Sequence, residues 1–291
     1  MLKNQVSFCD SAFFKTIWVA NFIGFLQIPT DWYRHVQKVF KMGVKVWNDF
    51  TCIDFAEDKN ALDESVEISF FPSLATPRLQ YPPLIEMFQK GSAIHEIGHV
   101  LGLYHTMSRH DRDNYIKIPR SIDEFKKVYK NDSDFYGLTY DYGSVMHYDE
   151  LSGSTNQQPT MIATDANYQK AMGSDLIAFS DIFVVNEHYG CNGLSTSAKC
   201  VNEGFPHPRD CSTCICPSGY GGSLCDQRVR ATNAIENKVD TENEFVSIQA
   251  PEGKKIEVEV VSISRGYDKP GCPKGGVEIK AQKDQKMTGY R

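Results

Sequence analysis

The sequence predicts an α+β chain in three parts: a large domain with helices and a mixed sheet, a small disulfide-rich module, and an all-β fragment. Three observations predict it. Apolar residues recur at helical spacing before residue 105. Five of the nine cysteines fall within 26 residues around position 211. Short alternating apolar segments fill most of the final stretch. The boundaries we expect are an uncertain segment 1–29, a large domain 30–191, a cysteine module 192–225 and the β fragment 226–291.

Composition and charge narrow the class of protein. The chain has 291 residues, of which 41% are hydrophobic and 23% charged, which is typical of a globular protein rather than a disordered one. The formal net charge is −6, so no basic excess favours binding to a phosphate backbone, and we expect no nucleic-acid partner. No apolar run reaches the 18 residues of a membrane span, so we expect none.

The N-terminal segment allows two interpretations. Residues Thr16 to Ile28 are apolar enough for the hydrophobic region of a secretory signal, but Asn21 and Gln27 interrupt the run and no small-x-small cleavage site follows. The same residues are rich in Ile, Trp, Val and Phe, which favours a buried first strand. The strand is the preferred interpretation, and a remnant of a signal or pro region is the alternative.

Three helices and several strands are predicted after this segment. Thr30 or Asp31 can cap a first helix, a second runs from Ser92 to Leu101 and ends at Gly102, and Ser180 can cap a third over Asp181 to Tyr189. Alternation predicts strands at two places. The apolar residues of these strands are Val66, Ile68 and Phe70, and, near the end of the chain, Phe245, Ile248, Ile256, Val258, Val260, Val277 and Ile279.

The second helix carries a metal-binding pattern. His95 and His99 stand four residues apart, so their imidazoles project from one face of the helix. Gly102 lets the backbone turn sharply and return His105 as a third ligand. Three neutral nitrogens leave a fourth position for water, which is typical of a catalytic zinc. Zinc lowers the pKa of that water to about 7, and Glu96 can take its proton as general base.

A second motif follows about forty residues later, at Ser144 to Tyr148. Zinc peptidases of the metzincin type carry a methionine-containing turn after an extended histidine motif, and Met146 meets that requirement. With these motifs, residues 30–191 resemble the astacin family of zinc endopeptidases. Further marks are Arg109 and the run Asp111 to Tyr115. The layout is similar to nematode astacins, in which an EGF-like module and a CUB domain follow the peptidase.

The resemblance implies a role for each matching residue. His95, His99 and His105 would bind one Zn²⁺ per chain, and Glu96 would be the catalytic base. Met146 would form the apolar floor beneath the metal, and Gly102 would make the turn between ligands. Tyr148 would be both a displaceable metal ligand and a catalytic residue, since its phenol would hydrogen-bond the oxyanion of the transition state. The five other histidines are interpreted as surface or hydrogen-bonded residues: His35, His110, His147, His188 and His207.

The cysteines favour an oxidising compartment, because their density in a short segment is typical of a disulfide framework. A zinc module is the less favoured alternative. The candidates are Cys52, Cys191, Cys200, Cys211, Cys214, Cys216 and Cys225. The spacing of the last three, with glycines between Cys216 and Cys225, resembles the end of an EGF-like module. Cys191 could begin that module, which would leave Cys52 for Cys9, or could pair with Cys52, as the resemblance prefers.

The chain also departs from the family pattern. Thr106 follows the third ligand, where the family usually has glutamate, which puts activation by a buried amino terminus in doubt. Residues 71–91 hold no cysteine, and Pro82 and Pro83 stand near the strand that would pair with substrate. The segment 226–291 resembles only the first half of a CUB domain, so we expect it to pack poorly and Cys272 to lack a partner.

The favoured function is a secreted zinc metalloendopeptidase that hydrolyses protein and peptide substrates. Extracellular matrix or cuticle proteins are plausible targets by family analogy alone. The sequon Asn131-Asp132-Ser133 gives secretion weak support. The alternative is a non-catalytic, zinc-binding extracellular interaction protein on a peptidase scaffold. Thr106 and the altered segment 71–91 motivate this alternative, whereas the intact ligands and Glu96 disfavour it.

Overall fold

The structure is a computed structural model that describes residues 15–20, 30–58, 90–119, 125–191, 197–228, 251–262, 271–272 and 276–291. Within these residues the α-helices are α1 (Thr30–Phe50), α2 (Lys90–Val100) and α3 (Phe179–Tyr189). The strands predicted around Val66, Ile68 and Phe70, the segment 71–89 and the strand residues Phe245 and Ile248 lie outside the described residues. No helix among the described residues is long and apolar enough to cross a membrane.

Helices α1 and α2 pack closely and form the platform of the metal-binding motif. The buried Trp47 of α1 donates its indole N–H to the backbone oxygen of Ile94 in α2, at 2.9 Å. Gly43 permits this approach, since a Cβ added there would lie 3.0 Å from the Ile97 side chain. One apolar core encloses the contact, and its members include Val39, Phe40, Trp47, Ile53, Ile94, Ile97, Leu101, Val145, Met146 and Val185.

The sheets are small and two-stranded. Strands β1 (Lys15–Ala20) and β2 (Ile53–Asp58) pair in parallel, with Lys15 opposite Ile53. The first of these falls within the apolar N-terminal run and agrees with its interpretation as a strand. Strands β3 (Ile116–Lys117) and β4 (Ile162–Ala163) pair antiparallel. A second core lies beside them and is mainly aromatic; it includes Met107, Phe125, Tyr140, Tyr142, Met161, Tyr168 and Met172.

Helix α3 begins differently from the prediction. Its first residue is Phe179, and the residue before it, Ala178, provides no side-chain cap. The prediction that Ser180 caps the helix is wrong, because Ser180 lies inside it and its hydroxyl donates to Asp141 at 2.6 Å. The carboxylate of Asp181 instead accepts the backbone N–H of Ala178 at 2.9 Å. A carboxylate in the first turn of a helix is also favoured by the helix dipole.

The cysteine module is built on disulfides. Strands β5 (Phe205–His207) and β6 (Asp210–Ile215) form one hairpin, and β7 (Tyr220–Gly221) pairs with β8 (Gln227–Arg228). Cysteine pairs join Cys200 to Cys214 and Cys216 to Cys225, and Cys211 is also disulfide-bonded. These cysteines therefore do not form a zinc module.

Cys191 pairs with Cys52, the arrangement that the resemblance prefers, and not within the cysteine module. The bond joins the end of α1 to the end of α3 across 139 residues of sequence. It therefore holds together two elements that flank the metal-binding helix.

The C-terminal segment departs from the strands predicted for it. Residues 251–262 contain no strand, and Ile256, Val258 and Val260 are exposed. Within 276–291 there is a single bridge, between Ile279 and Tyr290. The expectation of poor packing holds for residues 251–262 but is wrong for 276–291, where Met287 and Thr288 are buried. Cys272 is a free cysteine, as expected.

Candidate metal centre

The three histidines of the motif meet at one point. Helix α2 holds His95 and His99 one turn apart, and it is followed by Gly102, whose φ is +89°. That left-handed conformation costs other residues more than glycine. The turn brings His105 back, so that its Nε2 lies 3.1 Å from Nε2 of His95 and 3.0 Å from Nε2 of His99.

Backbone carbonyls orient two of the imidazoles. Nδ1 of His95 lies 2.7 Å from the oxygen of Val145, and Nδ1 of His99 lies 2.7 Å from the oxygen of Leu103. Because a carbonyl only accepts, Nδ1 is the donor in both rings, and Nε2 of each neutral ring presents its lone pair to the centre. Metal-bound histidines are usually held through their other nitrogen in this way.

The arrangement fits zinc. Ligand nitrogens about 2.0–2.1 Å from a tetrahedral ion stand roughly 3.3 Å apart. The observed separations of 3.0 and 3.1 Å are close to that value. Inward-facing lone pairs at this distance repel each other unless a cation lies between them. His95, His99 and His105 form the one group of three or more possible ligands found among the described residues, and the group could hold a metal ion.

Burial keeps these ligands in the metal-binding form. It lowers the pKa of His95 to about 4 and the pKa of His105 to about 3, and it also lowers the pKa of His99. The three rings are therefore neutral near pH 7, as metal ligation requires. Burial acts in the opposite direction on Glu96 and raises the pKa of its carboxyl. A carboxylate with a raised pKa is a stronger proton acceptor.

The turn that contains Met146 supports the ligands from below. The Met146 side chain is buried against the underside of α2, where a Cβ added at Gly98 would lie 2.6 Å from its sulfur. The backbone oxygen of Met146 accepts the N–H of Thr106 at 3.0 Å. The preceding carbonyl, that of Val145, accepts from His95. One turn thus contacts the first ligand, the helix and the residue after the third ligand.

The ring of Tyr148 packs against two of the three histidines. Its ring centroid is 4.4 Å from that of His105 and 5.9 Å from that of His95. Tyr148 is therefore a neighbour of the cluster.

A buried polar network behind this turn was not foreseen from the sequence. The hydroxyl of Thr106 donates to Ser144 at 3.0 Å, and Ser144 donates to Asp181 at 2.5 Å. Asp181 also accepts the backbone N–H of Val145 at 3.0 Å. Burial raises the pKa of Asp181 to about 6 despite these hydrogen bonds. In the sequence, Thr106 stands out only as a departure from the family pattern. Ser144 is the first residue of the methionine motif, and Asp181 is the expected first residue of a helix.

The network borders a cavity of about 730 Å³, whose lining includes Thr106, Ser144 and Asp181. Arg109 closes part of its wall, where it forms a salt bridge with Asp111 at 2.8 Å and lies 3.9 Å above the Phe135 ring. The family marks Arg109 and Asp111 are thus structural contacts in this chain.

The other described histidines do not belong to the cluster of three. His35 is exposed, His147 and His188 are hydrogen-bonded to tyrosines, and His207 accepts from the backbone of Arg209. The interpretation of His110 is wrong, because it is half-buried and its Nδ1 is buried without a hydrogen-bond partner. Its ring stacks on Phe135 at 5.6 Å, so its contact is apolar.

Comparison with known proteins agrees with this geometry. Residues 86–190, which contain the histidine motif and the turn of Met146, match the model of "Astacin (Peptidase family M12A)". The chain is 39% identical to zinc metalloproteinase nas-31 of Caenorhabditis elegans, over 88% of this chain and 47% of that protein. It is 31% identical to zinc metalloproteinase nas-23 of the same organism, over 99% of this chain and 60% of that protein. The chain thus spans about half the length of the first of these relatives.

Proposed function

We propose that this chain, in which residues 86–190 form an astacin-family peptidase domain, is a zinc-dependent endopeptidase that cleaves protein substrates. One observation carries the proposal: three imidazole Nε2 atoms converge at one point, and the helix that supplies two of them also contains Glu96. Two of the rings are held by carbonyls with their lone pairs inward, which suits a metal ion and not a cluster of surface histidines.

Each site residue has a proposed task. Zinc, when bound by His95, His99 and His105, supplies a Lewis acid that polarises a peptide carbonyl and acidifies water. Glu96 accepts the proton of the attacking water and delivers it to the leaving amine. Its burial supports the first of these transfers, because a raised pKa makes the Glu96 carboxylate a stronger proton acceptor. Tyr148 donates its phenol hydrogen to the oxygen that gains charge in the transition state.

The remaining domains and the location are also proposals. The disulfides Cys200–Cys214 and Cys216–Cys225 support an EGF-like module over residues 192–225. Residues 226–291 are proposed as part of a CUB-like domain. The disulfides are stable in oxidising compartments and support a secreted protein. Matrix or cuticle proteins would be its substrates by analogy only.

A non-catalytic interaction protein is the second candidate. Thr106 motivates it, because the residue after the third ligand joins a buried network with Ser144 and not an ion pair. The peptidase is favoured, since the ligands, Glu96 and Tyr148 are all present in the matched domain.

The test is metal-dependent cleavage of a denatured protein. Zinc content is measured on the purified full chain, and products are identified by mass spectrometry with 1,10-phenanthroline or with its non-chelating 1,7 isomer. We expect one zinc per chain and internal cleavage products. We expect cleavage to stop only with the chelating isomer and to return when zinc is added.

Two results would contradict the proposal in different ways. One zinc per chain without cleavage of several denatured proteins would favour the interaction protein. A folded chain that binds no zinc would overturn both candidates.

A further inference from the structure

His147 stands between two residues of the site, Met146 and Tyr148, but it does not belong to the cluster of three histidines. It is 2% exposed and makes two short side-chain hydrogen bonds. Its Nε2 lies 2.6 Å from the phenol oxygen of Tyr140, and its Nδ1 lies 2.7 Å from the backbone oxygen of Tyr148.

The partners fix the direction of both bonds. The Tyr148 carbonyl only accepts, so Nδ1 of His147 donates. The neutral imidazole then has a lone pair on Nε2, and the Tyr140 hydroxyl must donate to it. A single chain of hydrogen bonds therefore runs from Tyr140 through His147 to the backbone of Tyr148.

Tyr140, the first residue in this series of hydrogen bonds, is held rigidly. It is 1% exposed, and its ring stacks on Tyr115 with centroids 4.9 Å apart and planes 11° apart. Tyr142 closes another side in an edge-to-face contact at 5.1 Å. Burial raises the pKa of Tyr140 well above its usual value, so its hydroxyl stays a donor. The phenol thus has little freedom to move.

We propose that the Tyr140–His147 pair is a positioning device that holds the backbone of Tyr148, so that its phenol is presented to the metal centre. The held carbonyl restricts rotation of the peptide after Tyr148, and the ring, 4.4 Å from His105, then moves by its side-chain torsions alone. The proposal rests on the proposed function, since it assigns Tyr148 its task in the same site.

The hydrogen bonds of His147 do more than provide partners for its two buried nitrogens. A purely structural role would need any partner for each imidazole nitrogen, whereas here one bond ends on the backbone of the tyrosine at the site. The role therefore predicts energetic coupling between Tyr140 and Tyr148 through His147.

The experiment is a double-mutant cycle with Tyr140→Phe and Tyr148→Phe in the full chain. Tyr142→Phe is the matched control, because its phenol lies in the same aromatic cluster but donates to the Tyr115 carbonyl at 2.8 Å. We expect Tyr140→Phe to lower kcat about tenfold with little change in KM. In the Tyr148→Phe background the same substitution should change kcat less than about twofold. Tyr142→Phe should leave kcat unchanged.

A second readout does not need catalysis. The visible absorption of the cobalt-substituted protein reports the metal's surroundings, and its bands should shift in the Tyr140→Phe and Tyr148→Phe variants but not in the Tyr142→Phe variant. If wild type cleaves nothing, these bands still decide the positioning role, while the proposed function fails separately. Equal losses of kcat in both backgrounds, or unshifted bands in a folded zinc-binding Tyr140→Phe variant, would overturn the proposal.

Discussion

Burial shifts the pKa values of individual side chains at the site. Burial lowers the pKa of His95 and of His147 to about 4 each and that of His105 to about 3, while it raises the pKa of Glu96. The histidines are thereby kept as neutral ligands and donors, and the carboxylate becomes a stronger base. One environment thus adjusts both groups in the directions that the proposed function requires.

The lowered histidine pKa values predict how the metal-free protein responds to acid. Between about pH 6.5 and 4, the unfolded chain binds protons that the folded chain does not. The free energy of unfolding should therefore fall as pH is lowered through this window and level off above it. Each such histidine adds up to about 1.4 kcal/mol per pH unit. Asp181 acts oppositely, since its folded pKa of about 6 is raised.

Urea unfolding of EDTA-treated protein at several pH values measures this dependence. His105→Asn should reduce the slope, because it removes one of the buried histidines. His35→Asn, at an exposed position, is the control and should leave the slope unchanged. A free energy of unfolding that stays constant from pH 7 to 4.5 would contradict the prediction.

The ligand residues were predictable because their spacing is local. His95 and His99 are fixed by the period of one helix, and a single glycine turn returns His105. The link from Thr106 through Ser144 to Asp181 was not predictable. Its members are 38 and 37 residues apart, and only the tertiary fold brings their side chains together.

At the scale of elements, the contact between α2 and the turn of Met146 is the tightest at the site. Gly98 has no Cβ, and a Cβ added there would lie 2.6 Å from the Met146 sulfur. We expect Gly98→Ala to lower the free energy of unfolding by about 1–3 kcal/mol, since overpacking outweighs alanine's better helix preference. Zinc affinity should fall as well, because the turn also holds His95.

Thermal unfolding and zinc titration measure these effects. Ser92→Ala, in the same helix, is the control and should be close to neutral. In a Met146→Ala background the cost of Gly98→Ala should nearly vanish, because the obstructing sulfur is gone. An equal cost in both backgrounds would show that the contact with Met146 is not the cause.

Elements with strong periodicity or a local turn were predicted well. Elements that depend on a neighbouring strand or on a side chain distant in sequence were not. Helix α2 runs over Lys90–Val100 where Ser92 to Leu101 was expected. The strands expected at Ile256, Val258 and Val260 do not form in residues 251–262, because a strand needs a neighbour for its backbone hydrogen bonds. The cap at Ser180 failed because Asp141 competes for its hydroxyl.

At the scale of the whole molecule, the two cores and the C-terminal segment are connected. The bond Cys52–Cys191 ties α1 to α3 around the first core. Thr288 donates through its hydroxyl to the buried Asp141 at 3.2 Å, and the ring of Tyr290 packs at a tilt against Tyr168, with centroids 4.5 Å apart. The segment 276–291 is thus packed against the second core and the buried Asp141. Sequence patterns could not predict this contact, since it has no local periodicity.

The most direct test of the central claim compares wild type with Glu96→Gln at matched zinc content. The substitution keeps the size of the side chain and removes its ability to accept a proton. We expect equal zinc per chain in the two proteins and a loss of peptide-bond cleavage of at least about a hundredfold in the variant. Undiminished cleavage by the zinc-loaded Glu96→Gln variant would contradict the assignment of Glu96 as the base.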